Sequence, residues 1–214
     1  MEWLIGITGR NKVPSSSAGN TPRRVDDIQK PYVNDKTLLS KISKDELKET
    51  VQLPTGVDPN EWLATNTLSF FNHISLMQES LHEFCTSQTC SNMSSGAPNI
   101  WHDKGKKVRL SAPEYIDLVI THVQKYVTDE TVFPTKYDMT FPTNFLSVIK
   151  KVFKLLFHVL VHIYQSHYND MDALQQSNLL NTVFIHFMYF QTEHSILEPK
   201  DISSFDDLIK SLCL

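Results

Sequence analysis

Two of the chain's three cysteines, Cys85 and Cys90, stand five positions apart in the stretch Glu83-Phe84-Cys85-Thr86-Ser87-Gln88-Thr89-Cys90. Some seventy residues later an apolar run from Lys154 to His167 carries three histidines: His158, His162 and His167. Two thiolates and two imidazoles make a tetrahedral zinc site, with all four positions taken by protein. A closed shell of that kind supports structure rather than catalysis, because catalytic zinc keeps one position for water. Thiolates in a loop can both turn inward. On a helix the two candidate histidine pairs differ: residues five apart are rotated by about 140°, whereas residues four apart share a face. His162 and His167 can therefore meet one ion only if the helix ends or distorts between them, while His158 and His162 form the natural helical pair. The residues alone leave both pairs open, together with the commoner fate of a buried histidine, which is to be satisfied by an ordinary hydrogen bond.

No other constellation promises chemistry. The sequence holds no His-Glu-x-x-His, no nucleophile elbow and no phosphate loop, and its six glycines make a nucleotide cradle improbable. An enzyme is not expected. With 214 residues, 41% of them hydrophobic, 21% charged and a net charge of -4, the chain reads as one globular domain without the basic excess of a nucleic-acid binder. Three cysteines are too few for a disulfide scaffold, which points to a reducing, intracellular setting. Met1-Glu2-Trp3-Leu4-Ile5-Gly6 is too short and acidic for a signal peptide. Glu2 breaks the myristoylation pattern, and Cys213 is misplaced for prenylation. The apolar run Phe153 to Tyr164 falls far short of a membrane span, so a soluble protein with no membrane insertion is expected.

The elements that must position the cysteines and histidines follow from periodicity and caps. Residues 1–35 show no period and read as a flexible tail; 36–214 read as a single helical domain. A short surface helix is expected between Lys36 and Val51, with Leu38, Leu39, Ile42, Leu47 and Val51 facing the body. Asp58-Pro59-Asn60-Glu61 has the form of a capping box. It should open one helix, or two abutting near Ser75, to about Phe84, with Asn66, Ser69, Asn72, Gln78 and Glu79 on the polar face. Asn99 to Leu110 reads as a β-hairpin turning at Asp103-Lys104-Gly105. Ser111-Ala112-Pro113-Glu114 repeats the cap logic for a helix through Tyr126. A long loop, Thr128 to Pro142, carries exposed-looking Phe133, Tyr137 and Phe141. Thr143 should cap a central helix to about Tyr168, apolar nearly all round in its second half and so buried on several sides. Helices over 170–194 and 205–212 complete an all-α, four-helix-type bundle with peripheral short helices.

These residues resemble a known family. Leu53-Pro54-x-Gly56, Asp58-x-Asn60-Glu61-Trp62-Leu63-Ala64, Asn66-Thr67, Phe70-Phe71, Glu83-Phe84-Cys85-x4-Cys90 and Ser111-Ala112-Pro113-x-Tyr115-Ile116-Asp117 are similar to motifs of the Mob (Mob/phocein) kinase adaptors. So are Asp129-Glu130, Phe133-Pro134-Thr135-Lys136-Tyr137, Phe141-Pro142, His162-Ile163-Tyr164 and His167. The leader Met1 to Gly6 looks most like the branch that partners NDR-type kinases. The resemblance implies an all-α bundle with one structural zinc, its ligands falling on Cys85, Cys90, His162 and His167. It also implies a non-catalytic adaptor, monomeric when free, found in cytoplasm and nucleus. Such an adaptor binds the basic N-terminal regulatory segment of an NDR/LATS-type kinase through Asp58, Glu61, Trp62 and Thr65. On their residues alone, Glu61 also reads as half of a capping box and Trp62 as core. Val57 and Ser69 stand where the LATS-binding branch is acidic, which implies a narrower choice of kinase. Lys154, Leu155 and His158 stand where that branch has a basic triplet for phosphothreonine, so Lys154 and His158 form at most a weak anion patch. The resemblance also leaves room for a phocein-like scaffold subunit in striatin-type assemblies.

Overall fold

The computed structural model describes residues 43–94, 98–103, 105–136 and 138–213. The expected tail, Leu38, Leu39, Ile42 and Tyr137 lie outside them. Helix α1 (Lys44–Thr50) opens on a reciprocal cap: the Ser43 hydroxyl accepts from the Glu46 backbone at 3.1 Å, and the Glu46 carboxylate accepts from the Ser43 N–H at 3.0 Å. It buries Leu47 and, at its end, Val51. Helix α2 (Pro59–Ser80) starts at Asp58, whose Oδ1 accepts from Asn60 N at 2.8 Å and Glu61 N at 3.2 Å. The hairpin β1 (Ile100–Asp103) and β2 (Lys106–Arg109) is antiparallel, with Gly105 at φ +82° taking the left-handed turn position. Helix α3 (Ala112–Val127) is capped by Ser111, whose backbone N–H and hydroxyl both donate to Glu114, at 3.0 and 2.6 Å.

Helix α4 (Phe145–Ser166) is the axis. Thirteen of its 22 residues are buried, as its all-round apolar pattern requires. Midway along it the Phe153 ring meets Phe70 of α2 at 5.8 Å and Phe187 and Phe190 of helix α6 (Ser177–Glu193) at 4.8 and 5.8 Å. These offset and edge-on ring pairs stabilise the packing beyond plain area burial. Helices α2 and α4 run in the same sense, so their C-terminal ends arrive at the same end of the bundle. The short helices α5 (Tyr168–Ala173), α7 (Pro199–Ile202) and α8 (Asp206–Cys213), with a 3₁₀ turn at Ser203–Phe205, close the periphery. Among the described residues no helix is long and apolar enough to cross a membrane.

Several boundaries differ from expectation, each for a local reason. The first long helix stops at Ser80, four residues early, because the chain tightens into turns in which Phe84 and Cys85 both donate to the Leu81 carbonyl. Asn144, not Thr143, precedes α4, and it makes no side-chain cap. Asn66 and Gln78 are buried rather than on a polar face; Asn66 reaches back to the Trp62 carbonyl at 2.9 Å. Phe133 is buried against Phe145 (5.2 Å), and Phe141 is half-buried against the same ring (4.5 Å), so both loop aromatics cover the start of α4. The helix expected over 170–194 is two. Gln175 takes φ +58°, its N–H bonding Asp172 O and that of Gln176 bonding Met171 O, the double bond pattern that ends a helix at a left-handed residue. Glycine accepts that conformation without strain, so Gln175→Gly should stabilise the fold by about 0.5–1 kcal/mol. Urea unfolding of the two proteins measures it.

Candidate metal centre and the end of the bundle it joins

The cysteine loop is shaped before any ion is considered. Thr89 Oγ1 donates to the Phe84 carbonyl at 2.6 Å and accepts from the Thr86 N–H at 3.0 Å, while the Cys90 N–H bonds Thr86 O at 2.8 Å. These bonds fold the five-residue spacing into a tight loop with both sulfurs on its inner side. Across from it, α4 ends at Ser166, and His167 adopts φ -130°, ψ 14°. That break removes the 140° disparity that a continuous helix would impose. Cys85 Sγ lies 3.4 Å from His162 Nε2 and Cys90 Sγ lies 3.3 Å from His167 Nε2. The four ligand atoms all fall within 4.8 Å of one another. Ordinary zinc–sulfur and zinc–nitrogen bonds in a tetrahedron place S and N about 3.6 Å apart, so the observed sulfur–nitrogen separations suit one shared cation.

Protonation supports the same use. A carboxylate only accepts, so His167 Nδ1 donates to Asp170 Oδ2 at 2.8 Å and leaves its Nε2 lone pair facing the thiols. Burial first, and then His167 beside it, pull the His162 imidazole down to about 4, so it is neutral and free to ligate. Burial first, and then the Cys90 thiol, push Cys85 up to about 12. A bound cation opposes that cost by taking the thiolate directly. Cys85, His162 and His167 are buried and Cys90 is half-buried. A cleft of about 650 Å³ lined by Glu83, Phe84, Ser91 and Asp170 opens beside Cys90. This group can hold a metal ion.

His158, the helical alternative, is elsewhere. Its Nδ1 accepts from the Tyr115 hydroxyl at 2.8 Å. Burial is the main reason its imidazole sits at about 4 instead of the ordinary 6.5; Lys154 adds to the shift and Asp201 opposes it. Lys154 is itself held by Asp201 at 2.7 Å. Above pH 6.5 the imidazole is neutral folded or unfolded. As pH falls from 6.5 toward 4 only the unfolded chain takes the proton, so stability is lost, by about 2 kcal/mol at pH 5. His158→Gln should lose correspondingly less stability between pH 7.5 and pH 5 than the wild type in chemical denaturation. Equal losses would show that burial does not hold the His158 ring neutral.

The other end of α2 carries the remaining candidates. Asp58 is committed to the cap, but Glu61 does not reach back to complete a box. The Glu61 carboxylate is exposed and has no partner among the described residues. Thr65 is exposed one turn on. Trp62 is half-buried rather than free: its indole N–H points at the Val51 carbonyl (3.4 Å) and its ring faces Phe190 at 6.4 Å. Glu61 and Thr65 stand on the rim of a cavity of about 430 Å³ whose walls are Ala64 and Leu68 of α2, Val127 at the end of α3, and the loop Phe133 to Lys136. The loop wall was missed as part of a site by spacing arguments. Its sequence signal is the motif Phe133-Pro134-Thr135-Lys136, which counted toward the family resemblance but not toward a site.

Comparison with known proteins agrees with this architecture. MOB kinase activator 2 of Mus musculus is 43% identical over 215 aligned positions, covering all of this chain and 88% of that protein. MOB kinase activator 2 of Homo sapiens is 41% identical over the same span. MOB kinase activator-like 1 homolog A of Dictyostelium discoideum is 43% identical over 171 positions, 78% of this chain and 80% of that protein. Residues 40–205 match the profile of the Mob1/phocein family. With its helical bundle, its Cys/His cluster and this extent of similarity, the chain belongs to the Mob1/phocein family.

Proposed function

We propose that this chain is a non-catalytic kinase regulator of the cytoplasm and nucleus, which binds the basic N-terminal segment of an NDR-type kinase along α2. The observation that carries the reading is the Glu61 carboxylate, exposed and without a partner among the described residues, on the rim of a cavity of about 430 Å³ whose walls include Ala64, Leu68, Val127 and Phe133. A basic, amphipathic helix meets its charge there and buries an apolar side chain beside it. The exposed face of α2 continues that surface: Glu61, Thr65, Asn72, Leu76 and Glu79 recur at helical spacing, and Leu76 is 68% exposed. The names of the relatives, kinase activators, support the same class of partner. The metal in this reading is one structural zinc on Cys85, Cys90, His162 and His167, which ties the loop after α2 to the end of α4. Lys154 and His158 contribute little as an anion patch, since Asp201 already engages the one and the other stays neutral at physiological pH. Calorimetric titration of a synthetic NDR-type regulatory segment into the full chain tests the proposal: saturable binding supports it and its absence overturns it. Pull-down from cell extract separates the phocein-like scaffold role, in which a striatin-type assembly and no kinase segment would be retained.

A further inference from the structure

The carbonyl of Val51 accepts from two side chains remote from each other in sequence. Trp62 offers its indole N–H at 3.4 Å and His194 its Nε2 at 2.9 Å. A carbonyl only accepts, so His194 carries a proton on Nε2. Its ring leans on Phe190 at 4.4 Å, and Phe190 in turn faces Trp62. His194 is well placed to act as a fixed post. It caps α6, and the next residue, Ser195, takes φ +50° with two bonds back into the helix, from Ser195 N–H to Thr192 O and from Ile196 N–H to Gln191 O. A residue farther back in α6, Tyr189, meets α1 as well. The Tyr189 ring lies 5.6 Å from the Lys48 ammonium, and its hydroxyl donates to Cys213 O at 3.0 Å. Beyond Val51, itself only 2% exposed, the link Gln52 to Val57 is exposed throughout and leads directly into the Asp58 cap.

We infer that His194 is a positioning residue for the partner-facing end of α2. It acts through the Val51 carbonyl to fix where the exposed link leaves the body and how Trp62 is seated beside Glu61. This rests on the kinase-segment reading above. Without the 2.9 Å bond the carbonyl keeps only the long indole contact, and the link gains freedom that a partner must then take away, which weakens binding. Charge plays no part in the device, because neutral and protonated imidazole both donate.

The test uses the full chain with two substitutions. His194→Leu keeps apolar bulk and removes the donor; His194→Gln keeps an N–H donor at comparable reach. The expected result is a loss of about fivefold in affinity for the NDR-type segment in H194L, with faster amide exchange confined to residues 52–58 and metal content unchanged. H194Q should bind within about twofold of the wild type and show no faster exchange. The inference is overturned if H194L binds and exchanges like the wild type, if H194Q fails as H194L does, or if exchange rises throughout the bundle. A wild-type chain that does not bind the segment removes the kinase reading instead, and the exchange pattern then decides the role of His194 alone.

Discussion

Cys85→Ser should retain well under one zinc per chain and melt about 10 °C below the wild type, a loss of roughly 4 kcal/mol. The effect is large because the substitution removes one of the four ligand atoms, within 4.8 Å of one another, that a cation would hold together. The sulfur–nitrogen pairs at 3.3–3.4 Å are too close to stay unchanged around a missing donor. Burial that tolerates a neutral His162 and a neutral Cys85 thiol leaves three poorly solvated polar groups once coordination fails. The damage should spread unevenly, with the 81–93 loop and the start of α5 loosening first and the Phe70–Phe153 centre holding. Elemental analysis with a thermal melt is the measurement. Full metal content in the serine variant would mean that Cys85 is not a ligand.

Glu61→Lys should weaken binding of the NDR-type segment at least tenfold at low ionic strength, with the gap narrowing as salt approaches about 0.5 M. Glu61 is the freest negative charge at this end of α2, because Asp58 already spends Oδ1 on two backbone N–H groups. Reversal replaces an attraction with a repulsion on the rim of the cavity without touching the core. The melting temperature should therefore shift by no more than about 2 °C. That contrast with Cys85→Ser separates a recognition residue from a structural one. Indistinguishable affinities at low salt would remove Glu61 from the binding surface and leave the acidic end of α2 as an ordinary helix start.

How much of this could be read from the residues depends on the kind of physics each one obeys. The axial helix was legible because apolar side chains all round a helix have only one stable environment, and Phe153, Phe157 and Leu160 are buried as that requires. The caps at Asp58 and Ser111 were legible because they are local. His167 was not legible from spacing, since its use depends on a helix ending one residue before it. Only the resemblance chose it over His158, which the structure gives to Tyr115. Gln175 and Ser195 carry no glycine-like signature, so the left-handed helix ends there escaped notice. Phe133 read as exposed because burial of a loop side chain is decided by the distant Phe145, not by its neighbours.

The two sulfur–nitrogen pairs both span 77 residues of sequence, and that separation has a meaning in time as well as in space. On a ribosome elongating at about 5–20 residues per second, Cys85 and Cys90 emerge roughly 4–15 s before the histidines that complete their set. Throughout that interval the nascent chain presents two neighbouring thiols with neither of their imidazole partners. The four-residue set is complete only once His167, just past the end of α4, has emerged, and until then both thiols stand open to oxidation on the unfinished chain.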